Sequence, residues 1–153
     1  MVYIIIMHVF YFLPNRQKQK FFAKGRGFRH VKYKFKRSDI MHILFKKTGQ
    51  TLIVSLEGEL DHHNAGNIRE EIDRAFFGSD AKNLIFDLKK LKFMDSAGLG
   101  IIIGRYKNVL ATGGKTFVSA PSGHTRRLLT LAGMNKIIPL CKNLDEALGG
   151  AAK

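Results

Sequence analysis

The chain has 153 residues, a length that suits one domain of ordinary size, and 45% of them are hydrophobic, enough for a buried core. The single cysteine excludes an internal disulfide framework and a cysteine-based zinc site, and no apolar run reaches the roughly 18 residues of a transmembrane helix. With 26 basic and 12 acidic residues the formal net charge is +14, which taken alone indicates a nucleic-acid or anionic-membrane partner.

This charge is concentrated before Met41. Residues 1–40 contain ten basic residues and one acidic residue, a net charge of +9, whereas residues 41–153 contain 16 basic and 11 acidic residues, a net charge of +5. The first segment opens with 13 mainly apolar residues, too few to span a bilayer, and then mixes basic with aromatic side chains. The two segments therefore need separate interpretations.

Three interpretations of residues 1–40 compete. The segment binds nucleic acid through basic and aromatic side chains, or it lies on a membrane surface, or it is upstream sequence translated from a start codon placed too early. We favour the third, because residues 37–41 can be encoded with the ribosome-binding sequence AGGAG just before the Met41 codon. The predicted organisation is thus a non-native or disordered basic extension, residues 1–40, and one folded domain, residues 41–153.

Strand and helix patterns alternate after Met41. Strand-like runs occur at residues 42–47, 51–57, 83–88, 115–120 and 136–140. Helical periodicity and capping residues predict helices at residues 61–77, 96–112, 122–132 and 143–148. The order β-β-α-β-α-β-α-β-α predicts an α/β domain with a mixed, mostly parallel central sheet and about four helices. Its first hairpin, turning at Gly49 and Gln50, should place one strand at the edge.

The most informative segment runs from Phe93 to Gly100, between a predicted strand and a predicted helix. Binding sites in open α/β sheets lie at the carboxyl ends of the strands. Asp95 and Ser96 compete for the helix cap, and Gly98 and Gly100 in the first turns indicate close approach by a neighbouring element or a partner. A phosphate on Ser96 would add a charge of about −2 at a helix N-terminus, although Ser96 can also serve only as a cap.

A second loop of the same kind runs from Gly58 to Ala65. Asp61 or Asn64 can cap the following helix, and His62 and His63, being adjacent, do not form a metal-binding pair on one helix face. The chain has neither a phosphate-binding GxxxxGK[ST] loop nor a GxSxG nucleophile elbow. We predict neither a metal site nor an enzyme.

These two loops resemble those of a known family. Gly-Glu-Leu-Asp-His-His at residues 58–63 and Phe-Met-Asp-Ser-Ala-Gly-Leu-Gly at residues 93–100, followed by Gly-Arg-Tyr-Lys at residues 104–107, resemble the anti-sigma factor antagonists of the STAS domain type, above all those of the sporulation sigma-F pathway. The resemblance covers residues 41–153. It implies a STAS-type fold and a cytoplasmic regulator of transcription that acts by protein–protein interaction.

The resemblance also implies partners. Antagonists of this family, while unphosphorylated, bind an anti-sigma factor that is also a serine kinase, in its ATP- or ADP-bound state, and thereby release the sigma factor. Phosphorylation by that kinase switches the antagonist off, and a serine phosphatase reverses the modification. The resemblance implies a monomer when free, with no cofactor and no direct contact with nucleic acid or membrane. The alternative function is binding of nucleic acid or a membrane surface through residues 1–40.

The family motif assigns roles residue by residue. The phosphate acceptor corresponds to Ser96, and Ala97 replaces a second serine that often follows the acceptor. The residues expected to contact the anti-sigma kinase lie in the first loop and on either side of this serine: Asp61, His62, Asp95, Ala97, Gly98, Leu99, Gly100 and Arg105. Ser96 lies among carboxylates, so the resemblance implies that its phosphate weakens binding by charge repulsion and steric block.

Overall fold

The computed structural model describes the backbone of residues 29–32 and the whole of residues 41–153. The strands are β1 Arg29–Lys32, β2 His42–Thr48, β3 Thr51–Leu60, β4 Asn83–Met94, β5 Thr116–Ser119 and β6 Leu140–Cys141. The α-helices are α1 Ala65–Phe77, α2 Ser96–Ala111, α3 Gly123–Leu131 and α4 Leu144–Ala151, and a short 3-10 helix is formed by Met134–Lys136. The predicted order of elements from residue 42 onward is confirmed.

Six strands form one mixed sheet in the order β1-β2-β3-β4-β5-β6. The β1–β2 and β2–β3 pairs are antiparallel, and the three pairs from β3 to β6 are parallel. The predicted mixed, mostly parallel sheet with four helices is therefore confirmed. The first hairpin does not supply the edge strand, because β1 pairs with the outer side of β2. The other residues of the predicted extension lie outside the described residues, so the predictions made for residues 1–40 stay predictions.

Side chains on the two faces of the sheet form two apolar clusters. The larger packs strand residues such as Val54, Leu84 and Phe86 against helices α1 to α3, represented by Ile72 and Ile102. The smaller cluster lies on the opposite face, where α4 covers the sheet through Ala147. Its strand members are Ile53, Ile85 and Phe117. Strands buried on both faces account for the nearly continuous apolar run in β3.

Local chemistry explains most of the element boundaries. Gly49, with φ of 55°, forms the predicted hairpin turn, since this left-handed conformation favours glycine. Ser122 and Asn143 cap α3 and α4 by accepting hydrogen bonds from the backbone N–H groups of Thr125 and Glu146. Asn143 is thus confirmed as a capping residue, whereas Ser122 was predicted only as the first residue of its helix.

The three largest differences from the predicted boundaries are in α1, β4 and β6. Helix α1 begins at Ala65 and not at residue 61, because the side chain of Asp61 holds a turn before the helix. Strand β4 continues six residues past Leu88, to Met94. The run at residues 136–140 forms the end of the 3-10 helix and only the first residue of β6, which is Leu140–Cys141. In the described part of the chain, no helix is long and apolar enough to cross a membrane.

Candidate functional site

The site lies where the parallel strands β3 and β4 end side by side. Leu60 and Met94 are partners in the register, so the residues that follow them, Asp61 and Asp95, begin two adjacent loops. The backbone N–H of Asp95 donates a hydrogen bond to the carbonyl oxygen of Leu60 over 3.2 Å. The two predicted loops therefore meet at the carboxyl edge of the sheet.

Asp95 connects these loops through both of its carboxylate oxygens. Its Oδ1 accepts hydrogen bonds from the N–H groups of Ala97 at 2.7 Å and Gly98 at 3.3 Å, which makes Asp95 the N-cap of α2. Its Oδ2 accepts a hydrogen bond from the N–H of His62 at 3.2 Å and lies 3.8 Å from His62 Nδ1. The competition between Asp95 and Ser96 for the cap is thus decided for Asp95.

The first loop is held by a reciprocal pair of side chains. Asp61 Oδ1 accepts hydrogen bonds from the N–H groups of His63 and Asn64, at 3.0 and 3.3 Å. Asn64 Oδ1 accepts from the N–H of Asp61, and Asn64 Nδ2 donates to the carbonyl oxygen of Glu59 at 2.7 Å. Asn64 precedes α1 but its side chain makes no capping bond to that helix. The loop is therefore fixed before the helix begins, and the His62 side chain, 70% exposed, projects from it.

Ser96 is the first residue of α2 and is exposed. Asp95 already occupies the N–H groups of Ala97 and Gly98, and the Ser96 hydroxyl makes no hydrogen bond within residues 41–153. The hydroxyl is consequently accessible to a reagent from outside. The two carboxylates that were expected near Ser96, those of Asp95 and Asp61, lie in the two loops that meet here.

The two glycines of α2 have different surroundings. Gly98 is buried, and a Cβ on it would overlap Met94 Cγ and lie 3.1 Å from Leu60 Cδ2, so this glycine permits α2 to pack on the strand ends. Gly100 is exposed, and no atom lies within 4 Å of the position a Cβ would take. The close approach predicted from the two glycines is thus made at Gly98 by a neighbouring element, and only Gly100 leaves room for a partner. Ala97 and Leu99 are partly buried beside them.

Arg105, which was expected to contact the partner, is directed toward α1 in the structure. Arg105 is only 7% exposed, and its Nε and Nη2 each donate a hydrogen bond of 2.9 Å to Asp73 of α1. Asn108 donates to the same carboxylate at 3.4 Å. Arg105 therefore joins α1 to α2. Gly98, which was also expected at the partner contact, is buried against Met94 and Leu60.

Neighbouring groups that the sequence analysis did not single out complete this edge of the sheet. Phe93, 43% exposed, stacks on His124 at the start of α3, with ring centroids 6.4 Å apart. Lys89 and Lys92 on β4 are exposed beside it. The three closely spaced lysines of β4 were a usable signal, but the strand was predicted to end at Leu88. Among residues 41–153, no group of three His, Cys, Asp or Glu side chains is placed to hold a metal ion.

Comparison with known proteins gives a family for this arrangement. The model of the STAS domain matches residues 42–147, which include both loops and all four α-helices to within a few residues. The chain belongs to the STAS domain family. This confirms the family implied by the two loop motifs.

Named relatives of this STAS domain are regulators. An anti-sigma F factor antagonist of Paenibacillus polymyxa is 42% identical over 97 residues, which are 63% of this chain and 83% of the relative. A solved structure of the anti-sigma factor antagonist SpoIIAA in its unphosphorylated form matches with a TM-score of 0.62 at 31% identity, over 69% of this chain and 92% of that one. The phosphorylated form of SpoIIAA, a Bacillus cell fate determinant, matches with a TM-score of 0.58 at 30% identity, over 70% and 96%. The relatives are named as antagonists and not as enzymes, in agreement with the prediction of a regulatory protein.

Proposed function

We propose that this STAS domain is an anti-sigma factor antagonist that, while unphosphorylated, binds an anti-sigma factor with serine kinase activity and releases a sigma factor in the cytoplasm. The names of the relatives support the class of function. The observation that carries the proposal is the Ser96 hydroxyl, exposed at the first position of α2 and without a hydrogen bond in the described domain. A relative of the same fold has been solved in a phosphorylated form.

The proposed contact surface surrounds Ser96. Asp61 and His62 come from the first loop, and Asp95, Ala97, Leu99 and Gly100 come from the second loop and the first turns of α2. Phosphorylation of Ser96 requires the active site of the kinase to lie directly over these residues. Phosphorylation adds a charge of about −2 next to the Asp95 carboxylate, which disfavours any partner surface that carries negative charge there. A serine phosphatase would restore the binding-competent state.

Mutation of the acceptor tests this proposal. The probe is the purified anti-sigma F factor of Paenibacillus polymyxa, the protein that the name of the relative implies as its target. With ATP present, the wild-type chain should be phosphorylated and lose affinity, whereas Ser96→Ala should remain bound. Ser96→Asp should bind at least about tenfold more weakly than Ser96→Ala, because it adds one of the negative charges of a phosphate.

Phosphopeptide mapping supplies the control. Ser122 is also exposed and precedes a helix, but its Oγ is hydrogen-bonded to Thr125, so it should remain unlabelled. Label on Ser122, or equal affinities of Ser96→Ala and Ser96→Asp, would contradict the assignment of Ser96 as the switch.

A further inference from the structure

Strand β4 extends beyond its neighbour on one side. Strand β5 pairs only with residues 84–87 of β4, from Leu84 to Asp87. None of the following seven residues, up to Met94, pairs with β5, and only Lys90, Leu91, Phe93 and Met94 have register partners in β3. In the described part of the chain, the outer edge of β4 is therefore an unpaired strand edge that leads directly to Asp95 and Ser96.

Two irregularities in the β3–β4 register shape this edge. The register shifts between Ser55 and Glu57 and again between Gly58 and Glu59, so that β4 has one extra residue in each interval. The buried residues of β4 consequently recur at every third position: Leu88, Leu91 and Met94. Bulges of this kind turn side chains away from the ladder and occur beside functional sites. Here they leave Lys89, Lys92 and Phe93 exposed.

The charges along this edge are only partly neutralised. Lys90 Nζ lies 3.3 Å from Glu57 Oε2 on β3. Lys89 and Lys92 make no ion pair within residues 41–153, and Phe93 extends the surface to His124 by ring stacking. We call the set Lys89, Lys92, Phe93 and His124 the basic strip.

We infer that the basic strip docks an acidic segment of the kinase that phosphorylates Ser96, an inference that rests on the function proposed above. At about 3.3 Å per residue, Lys92 lies roughly 10 Å along the chain from Asp95, well within the footprint of one protein partner. The backbone N–H of Lys89 already donates to Asp87 Oδ1 over 3.2 Å. The docking contact is therefore made by the lysine side chains, which select a peptide of negative charge.

The alternative role of the lysines is protective. Lysines on an exposed strand edge prevent edge-to-edge association, and they can do so without any partner. A docking role and a protective role make different predictions for kinase recognition. They can therefore be separated by charge reversal.

The test uses the full chain and the anti-sigma F factor of Paenibacillus polymyxa. The double variant Lys89→Glu/Lys92→Glu should bind at least about tenfold more weakly, and Lys89→Gln/Lys92→Gln should fall between it and wild type. The matched control is Lys115→Glu, an exposed lysine that precedes β5 at the opposite end of the sheet, which should stay within twofold of wild type. In the kinase reaction the reversal should raise KM for the antagonist and leave kcat unchanged, since Ser96 itself is intact. Circular dichroism and thermal midpoints verify that each variant is folded.

Every outcome bears on the inference. If wild type binds and Ser96 is labelled while the reversed variant has an unchanged Kd and KM, the lysines only protect the edge and the inference is overturned, although the proposed function stands. If wild type neither binds nor is labelled, both fail. If the reversal instead abolishes retention of a 20-base-pair DNA duplex and leaves kinase binding intact, the strip serves nucleic acid and the inference is likewise overturned.

Discussion

Gly98 and Gly100 lie two positions apart on α2, and alanine at each should have opposite effects on stability. At Gly98 the new Cβ would overlap Met94 Cγ and come within 3.0 Å of Met94 Sδ and 3.1 Å of Leu60 Cδ2. Both neighbours are fully buried, with 1% and 0% exposure, so they have little room to move. Overpacking of this kind costs about 1–3 kcal/mol, and the better helix propensity of alanine returns at most about 1 kcal/mol. We expect Gly98→Ala to destabilise the domain by about 1–2 kcal/mol.

At Gly100 the same substitution meets no atom within 4 Å, so the gain in helix propensity is not opposed. Gly100→Ala should therefore stabilise the domain by about 0.5–1 kcal/mol, and the two variants should differ by about 2 kcal/mol. Urea unfolding followed by circular dichroism at pH 7 measures this difference. With a slope of about 2 kcal/mol per molar urea, the two midpoints should be separated by about 1 M.

The two alanine variants also distinguish an effect on core packing from an effect on partner binding. Equal midpoints for the two variants, or a higher midpoint for Gly98→Ala, would refute the argument that Gly98 is required by Met94. If a partner backbone passes over Gly100, Gly100→Ala should weaken binding to the anti-sigma factor in a domain that is more stable than wild type. A loss of affinity in that variant could not be attributed to unfolding.

Two further predictions concern charged side chains of α1 and α2. Burial raises the pKa of the Glu71 carboxyl above its usual range, with Arg74 opposing part of the effect, and Glu71 Oε2 accepts no hydrogen bond from residues 41–153. Because the unfolded chain loses this proton at lower pH than the folded one, stability falls as pH rises through that interval. Glu71→Gln should melt above wild type at pH 7 and lose this advantage at pH 3, and parallel pH profiles would contradict the reasoning. Arg105→Lys keeps the charge but loses the two-pronged contact with Asp73, which should cost about 1–2 kcal/mol in urea unfolding with unchanged affinity for the anti-sigma factor. If Arg105→Lys lost affinity for the anti-sigma factor at unchanged stability, Arg105 would be a partner contact.

The order of elements was predictable because the apolar pattern is regular in most of them. Ile68, Ile72 and Phe76 recur at helical spacing in α1, and all three are buried. The end of β4 was not predictable in the same way. Its buried residues, Leu88 and Leu91 among them, are three apart because of the two register shifts. This spacing breaks the alternation of a regular strand and matches a step of the helical pattern instead. A bulge depends on the partner strand, so a single strand's sequence does not reveal it.

The site was predictable to the extent that it follows from parallel strands. The two loops meet because β3 and β4 end together, and a general rule places sites at that edge. The contact of Arg105 with α1 was not predictable, because the pattern of one helix does not show which of its polar residues faces another helix. Its partner Asp73 lies 32 residues earlier, and only the packing of α1 against α2 brings them together.

The hydrogen bonds around Asp95 determine what a phosphate on Ser96 can do. An anion at a helix N-terminus is normally stabilised by the exposed N–H groups of the first turn. Here the N–H groups of Ala97 and Gly98 are already bonded to Asp95 Oδ1, and the N–H of His62 is bonded to Asp95 Oδ2. To bind these N–H groups, the phosphate would have to displace the Asp95 carboxylate. That carboxylate would then lack its hydrogen bonds and lie beside a second anion, and the first loop would lose its bond to Asp95. The phosphate would only replace the hydrogen bonds that Asp95 already accepts from these N–H groups, with no gain in their number. We therefore expect the phosphate to remain on the surface. Under the proposed function, the switch would then act through the charge and bulk that the phosphate presents to the partner, while the domain keeps its fold.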